Sequence, residues 1–265
     1  MNKARIIATV NFKGGVAKSS TVASLGSILA RKGFKTLVVD LDAQANLTTC
    51  LSASEEERTT IYEALTGKTD GLPIINISEG LDLVPSSLNL AMVDVELSTA
   101  IAREHLLDEL FNRSWVKETY DYVLLDCPPS LGLMTLNAIT ACTDVIIPLV
   151  AEALPLKGMT TITNYVDMVR RKLNPHAHIT GILITKWLNS KLTKNLESQL
   201  RDTLGDLVYT TKIRHNVRIA EAPLQSRNIV DYAPDSNGAK DYTVFAEEFL
   251  NRMQSPNTQQ LCKIR

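Results

Sequence analysis

Asn11-Phe12-Lys13-Gly14-Gly15-Val16-Ala17-Lys18-Ser19-Ser20 is the stretch that decides how the rest of the chain reads. An apolar run, Ile6-Ile7-Ala8-Thr9-Val10, precedes it, and a helix-like segment from Thr21 to Arg31 follows. Strand, Gly-rich turn, Lys-Ser and helix, in that order, form the layout of a phosphate-binding loop. Glycines let successive backbone N–H groups turn toward one point, and the start of a helix adds unpaired N–H groups and its dipole. In such a loop Lys18 would bring a point charge to the β- and γ-phosphates, and Ser19 a hydroxyl ligand to Mg2+.

The general pattern G-x-x-x-x-G-K-[ST] fails here, because Phe12 and Ala17 occupy its two outer glycine positions. What stands instead is Lys-Gly-Gly-x-x-Lys-Ser, with a second lysine, Lys13, ahead of the double glycine.

Outward from the loop, apolar β-rich runs alternate with helix-length amphipathic segments. That alternation predicts an α/β fold: a single domain with a mostly parallel twisted sheet and helices on both faces. Lys35-Thr36-Leu37-Val38-Val39-Asp40 reads as the second strand, ending in Asp40-Leu41-Asp42 at the edge where open α/β sheets place ligands. Segment 51–80 reads as loop plus a short helix from Thr60 to Thr66, and Leu81 to Pro85 as a short strand. Residues 97–112 carry a helical pattern through Leu97, Ile101, Leu106, Leu107 and Leu110. Tyr122-Val123-Leu124-Leu125-Asp126 is an apolar strand ending in aspartate, the layout of a Mg2+-holding Walker B strand. Pro128-Pro129 then forces the chain into a stiff loop. The domain is expected over 1–253, with 254–265 a polar, frayed tail.

Composition bounds the rest. Of 265 residues 45% are hydrophobic, enough for a sizeable core, and only 5% are aromatic, so that core is mostly aliphatic. A net charge of −1 gives no global sign of a nucleic-acid or membrane partner. Four scattered cysteines, without a C-x-x-C, point to a reduced cytoplasmic setting and to no thiolate metal site. Neither a signal peptide nor an apolar run long enough to span a membrane is visible.

Four blocks carry a family resemblance. They are Lys13 to Ser19, Val39-Asp40-Leu41-Asp42-Ala43-Gln44-Ala45-Asn46, Leu124-Leu125-Asp126-Cys127-Pro128-Pro129-Ser130-Leu131 and Asn216-Val217-Arg218-Ile219-Ala220-Glu221-Ala222-Pro223. In order and spacing the chain, from about residue 4 to about 252, resembles the ParA/Soj-type partition ATPases of the deviant Walker A (ParA/MinD) superfamily. It resembles their short form, which starts directly at the first strand. The resemblance implies ATP and Mg2+ as cofactors and a homodimer closed face to face around two nucleotides. It implies a nucleotide site formed by Lys13, Gly14, Gly15, Val16, Ala17, Lys18, Ser19 and Ser20. Lys13 would reach the partner's phosphates, and Asp42 would position the attacking water. Ser19, Asp126 and Asp40 would serve the metal. Ala17 departs from the family's usual glycine. That change costs about 1–2 kcal/mol if the position needs positive φ, and little if it lies in the right-handed region.

The family binds DNA without sequence preference as an ATP dimer. Residues 186–227 hold eight Lys/Arg against four Asp/Glu, an excess of four that a dimer would double. Arg218 matches the family's DNA-contacting arginine, and Lys191 and Lys194 are candidates by proximity. The implied role is plasmid or chromosome partition on the nucleoid, with a ParB-like centromere-binding protein as activator. A related ATPase spacing another cargo is the alternative. A MinD-like membrane role would need a basic amphipathic C-terminal helix, and residues 254–265 lack an apolar face.

Overall fold

The computed structural model describes residues 4–51, 58–151 and 155–254. Its centre is one sheet of eight strands: β1 (Arg5–Thr9), β2 (Thr36–Asp40), β3 (Ile75–Ser78), β4 (Leu81–Val84), β5 (Tyr122–Asp126), β6 (Asp144–Val150), β7 (His178–Trp187) and β8 (Val208–Arg214). Across the sheet they run β3-β4-β2-β5-β1-β6-β7-β8. Every neighbouring pair is parallel except β3 with β4. Parallel neighbours must be joined by crossovers, and these supply the helices that cover both faces.

Alternation along the central strands feeds two apolar layers. Ile6 and Ala8, Leu37 and Val39, and Val123 and Leu125 join one core, whereas Ile7, Val38 and Leu124 join the other. The first core is completed by Leu107 and Phe111, Ala138, Ile162 and Val166, and Leu200, each from a different helix. The second is completed by Val22, Leu25 and Leu29 of helix Lys18–Arg31 and by Tyr242, Phe245 and Phe249 of helix Asn237–Gln254. Helix Lys18–Arg31 lies close on the sheet at Gly26, where a Cβ would stand 2.7 Å from Val38 Cγ1. This seat fixes the helix start at the carboxyl end of β1.

Two segments differ from the sequence expectation. Ile75–Ser78 forms an edge strand inside the stretch read as loop. It is short, half-buried and irregular in register, so its period-2 signal is weak. The helical pattern over 97–112 forms an α-helix only from Leu106 to Arg113, after a single 3-10 turn at Arg103–His105. Ala102 sits in the left-handed region at φ 53°, which stops helix propagation, and Ile101 is 95% exposed. The tail read over 254–265 lies outside the described residues beyond Gln254, which ends the last helix.

Candidate nucleotide site

β1, β2 and β5 end side by side, and Thr9 and Asp40 are both in register with Asp126. Two carboxylates therefore meet at one edge of the sheet, below the Gly-rich loop. Asp40 and Asp126 are both fully buried, but they differ in satisfaction. Asp40 Oδ2 accepts hydrogen bonds from Thr48 N–H and Oγ1, each at 2.8 Å, and Oδ1 accepts from Asp42 N–H at 3.1 Å. Burial pushes its pKa up to about 6, against the pull of these bonds. Among the described residues, neither oxygen of Asp126 has a hydrogen-bond partner. Burial first, and the adjacent Asp40 second, hold its pKa well above the carboxylate range; the nearby Ser19 hydroxyl and Lys18 oppose them. Asp42 is half-buried in the turn that follows β2, with Oδ1 accepting from Gln44 N–H at 3.0 Å.

The loop itself is braced at each turn. Lys18 is buried, and its ammonium donates to the carbonyls of Asn11 at 3.0 Å and Lys13 at 3.4 Å. Burial lowers its pKa while Asp126 works in the other direction. Asn11, buried behind the loop, donates to Pro148 O at 2.7 Å and accepts from Lys13 N–H at 2.9 Å. Thr185 Oγ1, at the end of β7, donates to Val16 O at 3.1 Å. Gly14 and Gly15 are exposed, with Gly15 at φ 72°. Val16 is buried, and Ser19 and Ser20 are half-buried in the first turn of the helix.

Ala17 caps that helix at φ 66°, ψ 32°. The strained alternative therefore applies, at about 1–2 kcal/mol. Its carbonyl accepts from Thr21 N–H at 3.0 Å and Thr21 Oγ1 at 2.7 Å, and the same hydroxyl meets Tyr242 OH at 3.2 Å. The last helix thus supports the loop from behind. Asn11, Thr185 and Thr48 were not singled out from sequence. Their shared signal is a polar residue at or just past the end of an apolar strand, or one turn into the helix that follows it.

The sequence-identified site residues fall into two groups. Lys18, Ser19, Asp40, Asp42 and Asp126 come together, and Lys13, Gly14, Gly15, Val16, Ala17 and Ser20 form or flank the loop above them. Lys191, Lys194 and Arg218 are exposed and stand apart, just past the carboxyl ends of β7 and β8. The basic excess over 186–227 is thinner than the count implied. Arg201 and Lys212 both pair with Glu197, and Arg214 pairs with Asp241.

A fully buried carboxylate with both oxygens orphaned, beside a hydroxyl and a phosphate-type loop, is an all-oxygen donor set that suits Mg2+. Fold and site together define a nucleotide-binding α/β protein of the phosphate-loop class. A family model described as an AAA domain matches residues 4–179. The chain is 38% identical to the sporulation initiation inhibitor protein Soj of Bacillus subtilis, with 92% of this chain and 97% of that protein covered. It is 34% identical to the chromosome partitioning protein ParA of Caulobacter vibrioides, covering 95% and 96%. Among solved structures, cobyrinic acid a,c-diamide synthase from Mycobacterium smegmatis, with bound ATP analogue and magnesium, superposes with a TM-score of 0.83 at 31% identity. That match covers 95% of this chain and 96% of that one. The chain belongs to the ParA/Soj family of partitioning ATPases. No helix among the described residues is long and apolar enough to cross a membrane.

Proposed function

We propose that this chain is an ATPase whose nucleotide-driven homodimer binds DNA without sequence preference and partitions a plasmid or chromosome. Lys18, Ser19, Ser20 and the backbone from Gly14 to Ala17 cradle the phosphates. Asp126 and Ser19 hold the metal, with Asp40 beside them behind its Thr48 bonds. Bound there, Mg2+ neutralises charge on the β- and γ-phosphates. Asp42, less buried than its two neighbours, orients the attacking water. Lys13 is exposed at the loop's outer side, where a partner's phosphates would meet it. Phosphoryl transfer is largely positioning and charge neutralisation, so a lysine from the partner acts as an arginine finger does.

The observation that carries the DNA part is the placement of Lys191, Lys194 and Arg218. They follow the carboxyl ends of parallel strands, on the same edge of the sheet as the loop. None pairs with a carboxylate among the described residues. Helix Lys191–Leu204 opens with two lysines and no acid in its first turn, against the usual dipole preference. A helix start bearing lysines is suited to an incoming phosphate. A ParB-like centromere-binding protein is the expected activator, and the nucleoid the expected location.

DNA retention and sedimentation, with and without ATP across a salt series, test this reading. Retention should require ATP, coincide with a dimer, and fall steeply with salt. Arg218→Ala should weaken it while leaving ATP affinity unchanged. ATP-independent retention, or a monomer at saturating ATP, would overturn the proposal.

A further inference from the structure

Ala17 holds a backbone conformation that its side chain disfavours, and what keeps it there reaches across 221 residues of sequence, from Thr21 to Tyr242. A left-handed non-glycine residue persists only where its surroundings over-determine it. Thr21 supplies both restraints, because its N–H and its hydroxyl each donate to Ala17 O, at 3.0 Å and 2.7 Å. A threonine hydroxyl has one hydrogen, and here it is directed to that carbonyl. The contact of 3.2 Å with Tyr242 therefore has one polarity: the phenol donates and Thr21 Oγ1 accepts. The result is a directed chain, from Tyr242 O–H to Thr21 O–H to Ala17 C=O, in which each bond polarises the next. Tyr242 and Thr21 are both buried, so solvent does not compete for either hydroxyl.

The carbonyl of Ala17 and the N–H of Lys18 belong to one planar peptide, so the bonds that fix the first also aim the second. The first bond inside helix Lys18–Arg31 is that from Thr21 N–H to Ala17 O. The N–H groups of Lys18, Ser19 and Ser20 are therefore the donors that the helix start offers to a phosphate. Their aim depends on Ala17 staying at φ 66°. The ring of Tyr242 is itself held firmly. It lies in the second core with Phe245 and Phe249. The turn around it is pinned to the end of β8, where Asp241 accepts from Arg214 N–H at 2.9 Å and from Arg214 Nη2 at 2.6 Å. A Cβ on Gly238 would stand 3.0 Å from Ile219, so this turn also packs closely on the segment that carries Arg218. A second buried tyrosine supplies a contrast. Tyr209 packs on Phe245 in the same core, with ring centroids 4.9 Å apart, and its hydroxyl has no partner among the described residues.

We infer that Tyr242 is a positioning residue of the phosphate loop: through Thr21 it holds Ala17 in the left-handed conformation, so that the N–H groups of Lys18, Ser19 and Ser20 face the phosphates. This rests on ATP occupying that loop. Affinities for ADP and for a non-hydrolysable ATP analogue, measured by calorimetry on the full chain, test it. Tyr242→Phe keeps the ring and removes the donor. It should weaken both nucleotides by the same factor, about fivefold for one buried hydrogen bond. In turnover the loss should appear in KM, with kcat unchanged. Thr21→Val breaks the chain at its middle and should weaken binding at least as much. Adding Tyr242→Phe to Thr21→Val should then change nothing further. Glycine enters the left-handed region without a Cβ penalty, so in an Ala17→Gly background Tyr242→Phe should weaken binding by less than about twofold. Tyr209→Phe, which removes a hydroxyl without a partner, should leave both affinities at the parent value. Unchanged ADP affinity in Tyr242→Phe would overturn the inference, leaving that hydroxyl a role in stability alone. An undiminished loss in the Ala17→Gly background would overturn it too, because Tyr242 would then act elsewhere than on Ala17. An equal loss in Tyr209→Phe would do the same, reducing the effect to a softened core. Failure of the unsubstituted chain to bind ADP would instead sink the reading of the loop itself.

Discussion

Asp126 and Glu197 are both buried carboxylates, and the fold treats them in opposite ways. Glu197 accepts from Trp187 Nε1, from Lys212 at 2.7 Å and from Arg201 at 3.0 Å. Burial would raise its pKa, but Lys212 and Arg201 outweigh that and hold it below the usual value. Asp126 has no hydrogen-bond partner for either oxygen among the described residues, and its pKa is driven the other way. A buried charge with its partners supplied by the chain is a structural device. One left without them is a site waiting for something from outside the chain. The same distinction divides the cations: Arg201, Lys212 and Arg214 are spent on internal pairs, whereas Lys191, Lys194 and Arg218 pair with no carboxylate among the described residues.

The sharpest way to break the contrast is to neutralise each carboxylate. Asp126→Asn should cut Mg2+-dependent ATP hydrolysis by about 10²-fold or more, the scale for removing one preorganised electrostatic group. The same substitution should raise the melting temperature at pH 8 without nucleotide, because an uncompensated buried charge is gone. A fall in melting temperature would place Asp126 with the structural carboxylates. Glu197→Gln should act in reverse, leaving ATP affinity intact and destabilising by roughly 1–2 kcal/mol. Its pH dependence has a definite sign. The folded pKa lies below the ordinary 4.5, so the contribution is present above that value and is lost as pH falls through the folded pKa. Melting of the parent and of Glu197→Gln should therefore differ at pH 7 and converge as pH falls below 4.5. The smallest effect belongs to Ala17→Gly. Relief of the left-handed cap, less glycine's greater freedom when unfolded, should stabilise by about 0.5–1 kcal/mol. No gain in melting temperature would mean that the strain at φ 66° is already offset locally.

Much of this was legible because it is local. The loop at 11–20 and the strands ending in Asp40 and Asp126 declare themselves within ten residues each, and the parallel sheet follows from their alternation with helices. What sequence could not carry is pairing at long range. The Lys212–Glu197 bond spans 15 residues and the Arg214–Asp241 bond 27, so a tally of basic residues overstated the open charge. Ile75–Ser78 and Ile101 failed for a different reason: an irregular edge strand and a left-handed Ala102 break the periodicities on which pattern reading depends.

The strand order also has a consequence for how the chain is made. β1 leaves the ribosome first, yet its neighbours in the sheet are β5 and β6, and Arg5 pairs across from Tyr122. At about 5–20 residues per second, synthesis of the intervening hundred-odd residues takes roughly 6–25 s. Throughout that interval the phosphate loop has no strand beside it, while β2 can already pair with β4. The nucleotide site can therefore close only after β5 has been delivered.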